Sequence, residues 1–300
     1  MENEEMTTVE LWDLIPQVAG QRRAEVMVAL ANKLSYRNRK DALALCLSAV
    51  EIHESLGEKA PIAEQAEAYV ALANVFEKLE QYDQAIPALS KGLELLRVTG
   101  FEFEDDLLRT LAEYHGKVGN WQEALNYQLE AANFNELVGD EEFLAISYRN
   151  AADCLVELER LAEALVHYST AVEIFRKLKQ LDEIGNCYQK MAEINLTLGD
   201  VIEAIALGEK SLNVAFFNFH SESPARTHLL MMRAYMAQGD LEKAGQYLVD
   251  AQGLAQYSND KNWDLIAEVE QERINHMKAS GFDAEEAQAR LLTIREMIGG

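Results

Sequence analysis

The sequence predicts an all-α solenoid in which antiparallel helix pairs stack one behind another. Seven alanines recur at gaps of 43, 39, 40, 40, 40 and 43 residues: Ala42, Ala85, Ala124, Ala164, Ala204, Ala244 and Ala287. A fixed period of about 40 residues is typical of stacked repeat arrays. Apolar residues between the alanines recur at offsets of three and four, which is the helical period, and no segment alternates with the period of a strand.

Composition argues against two classes of partner. The chain carries 51 acidic and 27 basic side chains, and its formal net charge is −24. Nucleic-acid and anionic-membrane surfaces need clustered Lys and Arg, so we expect neither partner. The hydrophobic fraction of 49% is ample for a packed core, and only 4 Pro and 16 Gly interrupt the helices.

Cysteine spacing and the first residues of the chain predict a cytoplasmic protein. Cys46, Cys154 and Cys187 have no CxxC spacing and lie in helical apolar patterns, so we expect buried, reduced thiols. The acidic segment 1–6 lacks the apolar region of a secretory signal. No apolar run approaches the roughly 18 residues of a membrane span.

Residues 1–20 are predicted to form an N-terminal cap helix. Thr7 and Glu10 have the spacing of a capping box, and the helix should end near Ile15, before Pro16. Its apolar residues share one face that can turn toward the first full repeat. A cap of this kind covers the apolar end of a repeat array.

Six repeats are predicted across residues 21–259, followed by a divergent C-terminal capping repeat at 260–300, all in one continuous solenoid. Their approximate ranges are 21–57, 64–100, 104–139, 141–180, 181–218 and 223–259. Gly119, Gly199 and Gly239 are predicted to end first helices. Asp200 and Asp240 are predicted to cap the helices that follow. Pro87 is expected near the first turn of its helix, where a missing N–H is tolerated.

Small residues are predicted where the two helices of a repeat cross. Alanines twelve residues apart should face each other, in the pairs Ala73–Ala85, Ala112–Ala124, Ala152–Ala164 and Ala192–Ala204. A larger side chain would force the helices apart and cost roughly 1–3 kcal/mol.

These residues resemble the tetratricopeptide repeat. The first helix of that unit carries, in order, a large residue, a leucine, a glycine or alanine, and an aromatic residue. Its second helix carries an alanine, then an aromatic residue or a leucine, and then another alanine. The matching residues are Tyr69, Leu72, Ala73, Phe76, Ala85, Leu89 and Gly92, and Tyr148, Ala151, Ala152, Leu155, Ala164, Tyr168 and Ala171. The resemblance covers residues 21–259 well and the remainder loosely, and it implies a right-handed superhelix.

The period departs from the commonest form of the family, which has about 34 residues. A period of about 40 resembles the long-helix subclass of kinesin light chains, Pins-type polarity adaptors and bacterial peptide-sensing regulators. The carboxylate clamp of chaperone adaptors is not reproduced, because Val28 and Val70 lie where its lysine is expected.

The resemblance implies that the first helices line a concave groove that binds a peptide or protein segment. Reading the positions between the packing residues gives a candidate groove set: Asn32, Asn74, Arg109, Glu113, Arg149, Asn150, Asp153, Asn186, Gln189, Lys190, Glu193, Arg226 and Arg233. Asparagine suits an extended peptide backbone, because its amide donates and accepts at once.

A merely solvated face is the competing interpretation of the arginines. Arg109 with Glu113, and Arg149 with Asp153, have the i,i+4 spacing of local ion pairs. Such exposed pairs contribute only about 0.3–0.5 kcal/mol. A charge-assisted hydrogen bond to a ligand contributes roughly 1.5–3 kcal/mol, so the local pairs would not hold the arginines back from a ligand.

The sequence gives no support for catalysis, a cofactor or a metal. Six histidines are scattered without metal-ligand spacing, and we expect His115 and His228 to be buried with their ring nitrogens satisfied. The glycine-rich phosphate loops and the serine nucleophile motif are missing from the sequence.

The leading hypothesis is a non-enzymatic scaffold or adaptor that binds a protein or peptide partner in the groove. The alternative is a sensor whose superhelix changes shape on binding and controls a transcriptional or signalling output. Residues 1–20 are too short for the output domain of such a regulator, unless the chain is a fragment or acts in trans. An enzyme subunit would need catalytic residues from another chain. A homo-oligomer also remains open, since solenoid ends can expose apolar surface.

Overall fold

A computed structural model describes residues 2–99, 104–215, 223–255 and 263–279, and every regular segment among them is helical. The chain divides into two compact units, residues 1–158 and 159–300. The prediction of an all-α fold is confirmed.

Unit one holds the first nine helices. They are α1 Glu2–Glu5, α2 Thr8–Leu14, α3 Gly20–Leu34, α4 Arg39–Leu56, α5 Ile62–Lys78, α6 Tyr82–Thr99, α7 Glu104–Lys117, α8 Trp121–Val138 and α9 Glu141–Glu157. Within the unit, each helix from α3 to α8 packs against the next along the chain, and α3 also packs against α5. This is the neighbour-to-neighbour packing of a stacked array.

Unit two continues the same pattern. Its helices are α10 Leu161–Leu178, α11 Leu181–Thr197, α12 Val201–Ala215, α13 Ser223–Gln238, α14 Leu241–Ala255 and α15 Trp263–Ala279. Consecutive helices pack together, and α11 also packs against α13. The helix bounds follow the predicted repeat ranges, while the division into a cap, six repeats and a terminal cap stays a prediction.

The N-terminal capping box is present. The Glu10 N–H donates to Thr7 Oγ1 at 3.3 Å, and the Thr7 N–H donates to Glu10 Oε2 at 2.7 Å. Helix α2 ends at Leu14, and a 3-10 turn over Ile15–Gln17 follows it. Leu11 and Ile15 are buried, and α2 packs on α3.

All eight crossing alanines are buried, none of them more than 3% exposed. The methyl side chain leaves room for the backbones of paired helices to approach. Larger buried side chains fill the space between pairs, such as Leu108 and Tyr114 in unit one and Met231 and Leu248 in unit two. Cys46, Cys154 and Cys187 are free and buried, as predicted, and burial raises the pKa of Cys46 and Cys154 to about 12.

The predicted turns inside repeats are confirmed. Gly119, Gly199 and Gly239 have φ angles of 79°, 80° and 89°, in the left-handed region that glycine tolerates. Asp200 Oδ1 and Asp240 Oδ1 accept backbone N–H bonds at the starts of α12 and α14, at 3.3 and 3.0 Å.

The position expected for Pro87 is wrong by one turn. Helix α6 begins at Tyr82, so Pro87 falls in the second turn and cannot donate to the carbonyl of Asp83. The proline is exposed, so that carbonyl can bond water instead.

Candidate functional site

The first helices of unit one present a row of exposed polar side chains. Asn32 on α3, Asn74 on α5, Glu113 on α7 and Asp153 on α9 are all exposed. Each directly follows a buried alanine of its helix (Ala31, Ala73, Ala112 or Ala152). The packing that buries the alanine therefore turns the next residue toward solvent. We call these four residues the outer row.

Arg109, four residues before Glu113, turns inward and is half-buried. Its Nε donates to Asp105 Oδ2 at 2.8 Å and its Nη2 to Asp106 Oδ1 at 2.5 Å. The guanidinium carbon also lies 4.5 Å from the ring centre of Phe143 on α9. The expected ion pair of Arg109 with Glu113 is wrong. Arg109 pairs instead with Asp105 and Asp106, one turn earlier on α7, and Glu113 Oε1 lies 4.0 Å from Lys117 Nζ.

Asp105 explains why Arg109 turns back. Its side chain is only 11% exposed, and its other oxygen accepts a bond from Asn135 Nδ2 on α8 at 2.5 Å. Burying a carboxylate is unfavourable unless donors surround it, and Asn135 and Arg109 supply them. The three residues with Phe143 connect α7, α8 and α9. Other first helices of unit one carry alanine at this position: Ala24, Ala66 and Ala145.

Arg149 and Asn150 lie together on α9, both half-buried. The Nε and Nη2 atoms of Arg149 donate to Asn150 Oδ1 at 3.3 and 3.1 Å. The amide oxygen of Asn150 is thus already engaged within the helix surface.

In unit two the structure brings Gln189, Lys190 and Glu193 together. Gln189 is only 7% exposed, and its Nε2 donates to Glu193 Oε1 at 3.1 Å. Lys190 Nζ lies 3.9 Å from Glu193 Oε2. Asn186, one turn earlier on α11, is exposed. Lys190, Glu193 and Asn186 are therefore accessible, whereas Gln189 belongs to the interior.

Arg233 contacts the last described helix. Its Nε and Nη2 donate to Glu270 Oε1 on α15 at 3.0 and 2.8 Å. The Glu270 side chain is 4% exposed and also accepts from Arg273 Nη1 at 2.9 Å. Arg233 thus helps to dock α15, while Arg226, also on α13, is exposed.

The expectation of buried histidines with satisfied ring nitrogens is wrong for the burial of both rings, and only His228 has a hydrogen bond at its Nδ1. His228 Nδ1 lies 2.7 Å from the Pro224 carbonyl, whereas the buried Nδ1 of His115 has no hydrogen-bond partner within the described residues. Both rings are half-buried, and His115 stacks on Tyr127 with 5.4 Å between ring centres. Burial lowers the pKa of His115. Within the described ranges, no group of three His, Cys, Asp or Glu side chains is arranged to hold a metal ion.

Sequence reasoning missed the buried polar residues. Asp105 and Asn135 in unit one, and Ser211 and Thr227 in unit two, are buried in the structure. A comparison of equivalent positions in successive repeats could have found two of them, because a polar residue stands there in place of an apolar one. Asp105 stands where the neighbouring repeats carry alanine, and so does Ser211.

No helix in the described part of the chain combines the length and apolar character needed to cross a membrane.

The chain is similar to a known repeat family in sequence and to several solved structures in fold. Models of the tetratricopeptide repeat match residues 66–95, 103–177 and 143–215. The apo form of RapI superposes with a TM-score of 0.71 and 14% identity, over 97% of this chain and 80% of that one. A signal transduction ATPase with a tetratricopeptide repeat sensor from Pyrococcus horikoshii gives 0.69 and 16%, over 88% of this chain and 40% of that one.

A third solved structure is YrrB, described as a protein with an unusual peptide-binding site. It gives a TM-score of 0.53 and 21% identity, over 78% of this chain and all of YrrB. At these identities the likeness concerns the fold alone. No curated protein sequence matches the chain.

Proposed function

We infer from its tetratricopeptide repeats that this chain is a protein-interaction scaffold, and we propose that it is non-enzymatic and binds a peptide or protein segment along its first helices. The outer row of unit one is the observation that carries the proposal. Its four residues are exposed on successive first helices, although helix packing requires none of them.

The chemistry of the outer row suits a peptide. Asn32 and Asn74 can each donate to a backbone carbonyl and accept from a backbone N–H. Glu113 and Asp153 can accept charge-assisted bonds, which are stronger than neutral ones. In unit two, taken by itself, we propose Asn186, Lys190 and Glu193 as contacts for a partner, since they are accessible on α11.

The residues that are buried or bonded to the chain's own carboxylates are proposed to act differently. Arg109 and Arg233 each bond to carboxylates of the chain itself, and Gln189 is buried. We propose that none of these three touches the partner. YrrB offers a precedent for the general mode of action, because that protein of similar fold is described as having a peptide-binding site.

The test compares two variants that change charge equally. The outer-row variant combines Glu113→Lys and Asp153→Lys; the control combines Glu51→Lys and Glu136→Lys, which alter exposed acids on the second helices α4 and α8. Peptides are selected from a displayed random library on the wild-type protein, and their affinities for all three proteins are measured.

We expect the control to bind like the wild type and the outer-row variant to lose about tenfold or more, since each lost charge-assisted bond is worth roughly 1.5–3 kcal/mol. Circular dichroism of each variant checks that the helices are intact. Equal affinity of the wild type and the outer-row variant would move the site away from the first helices of unit one.

A regulatory sensor is the second candidate function. The chain consists of two compact units, and the Pyrococcus ATPase of similar fold is described as carrying its repeats as a sensor. A sensor should change the distance between the units when it binds.

Spin labels at Glu51→Cys and Glu209→Cys, both exposed, would report that distance. The three native thiols are buried, which slows their labelling. A distance that shifts on adding a selected peptide supports the sensor. An unchanged distribution favours a passive scaffold.

A further inference from the structure

Unit two contains a line of buried hydrogen bonds across three helices. Ser211 Oγ on α12 donates to the Gly185 carbonyl of α11 at 2.9 Å and lies 3.3 Å from Thr227 Oγ1 on α13. Thr227 Oγ1 is also 3.4 Å from Gln189 Oε1, and Gln189 in turn donates to Glu193. We call Ser211, Thr227 and Gln189 the inner network. It leads from the contact of α11, α12 and α13 to the carboxylate of Glu193.

Helix packing does not require the polar side chains of the inner network. Ser211 and Thr227 are fully buried, and Gln189 nearly so. The residues that lie forty positions from these three, in neighbouring repeats, include apolar ones in each case. Ser211 corresponds to Ala171 and Ala251, Gln189 to Leu229, and Thr227 to Cys187. The same backbone arrangement is therefore built elsewhere in this chain without these groups.

Stability does not account for the inner network either. Removing a polar group from water on folding is unfavourable, and the hydrogen bonds of the buried group do little more than offset that loss. Replacing all the partners by apolar groups of similar shape is therefore often neutral or stabilising for the folded state. What the network does provide is orientation. Gln189 fixes one oxygen of Glu193, at the place where the network reaches solvent.

The other side of Glu193 is open to a partner. Its side chain is 45% exposed, and Lys190 Nζ lies 3.9 Å from Oε2, at the outer limit of an ion pair. The Lys190 side chain is 52% exposed, so a cation from a partner can take its place. The large excess of acidic residues in the chain attracts basic segments over a distance.

We propose that Gln189 and Thr227 are positioning residues that hold Glu193 ready to bind a lysine or arginine side chain of the partner segment. This proposal rests on the function proposed above and names the chemistry that unit two recognises. Glu193 makes the contact, Gln189 orients it, and the Thr227 hydroxyl, which donates to Gln189 Oε1 and packs beside Ser211, keeps the Gln189 amide from rotating.

The test replaces the inner network with apolar residues, of which the leucine and the alanine are those of neighbouring repeats. The triple variant carries Gln189→Leu, Ser211→Ala and Thr227→Val, and a separate variant carries Glu193→Gln. Thr227→Ser is the conservative control, because it keeps the hydroxyl. The probes are the library peptides selected on the wild-type protein, and the readouts are peptide affinity and thermal midpoint.

We expect the selected peptides to share a lysine or arginine at one position. The triple variant should melt at the wild-type temperature or above and bind roughly tenfold more weakly, like Glu193→Gln, while Thr227→Ser binds normally.

Three results would overturn the proposal: a triple variant that binds as tightly as the wild type, a triple variant with a lowered thermal midpoint, or selected peptides without a shared basic residue. If the library yields no binding peptide at all, the function proposed above fails, and this inference fails with it.

Discussion

At the scale of single residues, Arg109 illustrates how a plausible ligand contact can be a structural connection. Two of its nitrogens bond to Asp105 and Asp106, and its guanidinium covers Phe143. Asp105 is buried, and Asn135 is its other donor. The pair therefore connects α7 to α8 through Asn135 and to α9 through Phe143. A partner could use Arg109 only by breaking these bonds.

We predict that Arg109→Ala lowers the free energy of unfolding by about 1–3 kcal/mol, because it leaves the Asp105 carboxylate buried with one donor. Glu113→Ala, on an exposed residue of the same helix, should change it by less than about 0.5 kcal/mol. Urea denaturation measures both. Equal effects of the two substitutions would contradict the structural role.

A compensated variant sharpens that comparison. Asp105→Ala, Arg109→Val and Asn135→Leu together copy the residues found 39 positions earlier: Ala66, Val70 and Leu96. Removing every partner leaves no orphaned charge, so this variant should be more stable than Arg109→Ala alone.

His53 provides the second prediction at this scale. It is 1% exposed at the end of α4, and neither ring nitrogen has a hydrogen-bond partner within the described residues. Burial lowers its pKa below the ordinary value of 6.5, and the carboxylates of Glu64 on α5 and Glu25 on α3 partly oppose this. The unfolded chain therefore takes up the proton at a higher pH than the folded one. The stability contributed by neutral His53 is present at neutral pH and is lost as pH falls below 6.5.

We expect the free energy of unfolding to fall between about pH 7.5 and about pH 5.5, and to fall less in His53→Leu than in the wild type. His115 and His167, whose pKa values burial also lowers, contribute equally to both proteins. Denaturation curves at the two pH values give the difference. Parallel pH profiles for the two proteins would rule out His53 as a source of acid sensitivity.

At the scale of helices and turns, the repeats show the same turn built with different residues. Gly119, Gly199 and Gly239 hold left-handed φ angles after first helices, but Glu80 and Glu159 hold 58° at the equivalent places. Side chains with a Cβ are strained in that region by roughly 1–2 kcal/mol. The chain tolerates the strain because the helices on either side fix the turn.

We predict that Glu80→Gly raises the free energy of unfolding by about 0.5–1 kcal/mol, since relief of strain exceeds the greater entropy that glycine brings to the unfolded chain. The reverse exchange, Gly119→Glu, should lower it by a similar amount. Chemical denaturation of the two variants gives both values. A destabilised Glu80→Gly would show that the glutamate side chain makes a contact worth more than the strain.

At the scale of the whole molecule, the excess of acid is the dominant property. A formal net charge of −24 on 300 residues means that like charges repel across much of the surface. Only some acids are paired with bases in the described part of the chain, among them Glu130 with Arg97 and Glu163 with Arg160. The remaining repulsion disfavours the compact state and is screened by salt.

The thermal midpoint should therefore rise when sodium chloride is increased from about 0.02 to about 0.2 M, where the Debye length falls below about 10 Å. The Glu51→Lys, Glu136→Lys variant has a net charge four units less negative and should show a smaller rise. Scanning calorimetry at both salt concentrations makes the comparison. A midpoint that falls with salt in the wild type would mean that its ion pairs outweigh the repulsion.

The helices, their order, the small residues predicted at the crossings and most of the turns could be predicted from the amino-acid sequence alone. These follow from local rules, namely the helical spacing of apolar residues and the conformational freedom of glycine, and the period of about 40 residues repeats them. Even the exposed outer row could be read by counting from the buried alanines. The one misplaced turn feature was Pro87, whose position depends on where α6 begins.

Which polar side chains are exposed and which bond within the protein depends on the packing of helices that are distant in sequence. Arg109 can reach one turn forward or one turn back along α7, and a buried Asp105 held by Asn135 of another helix selects the second. Ser211 and Thr227 likewise meet only because α12 and α13 pack together. Burial and contacts with residues distant in sequence determine which hydrogen-bond partner a long side chain has. The periodicity of a single helix gives no information on either.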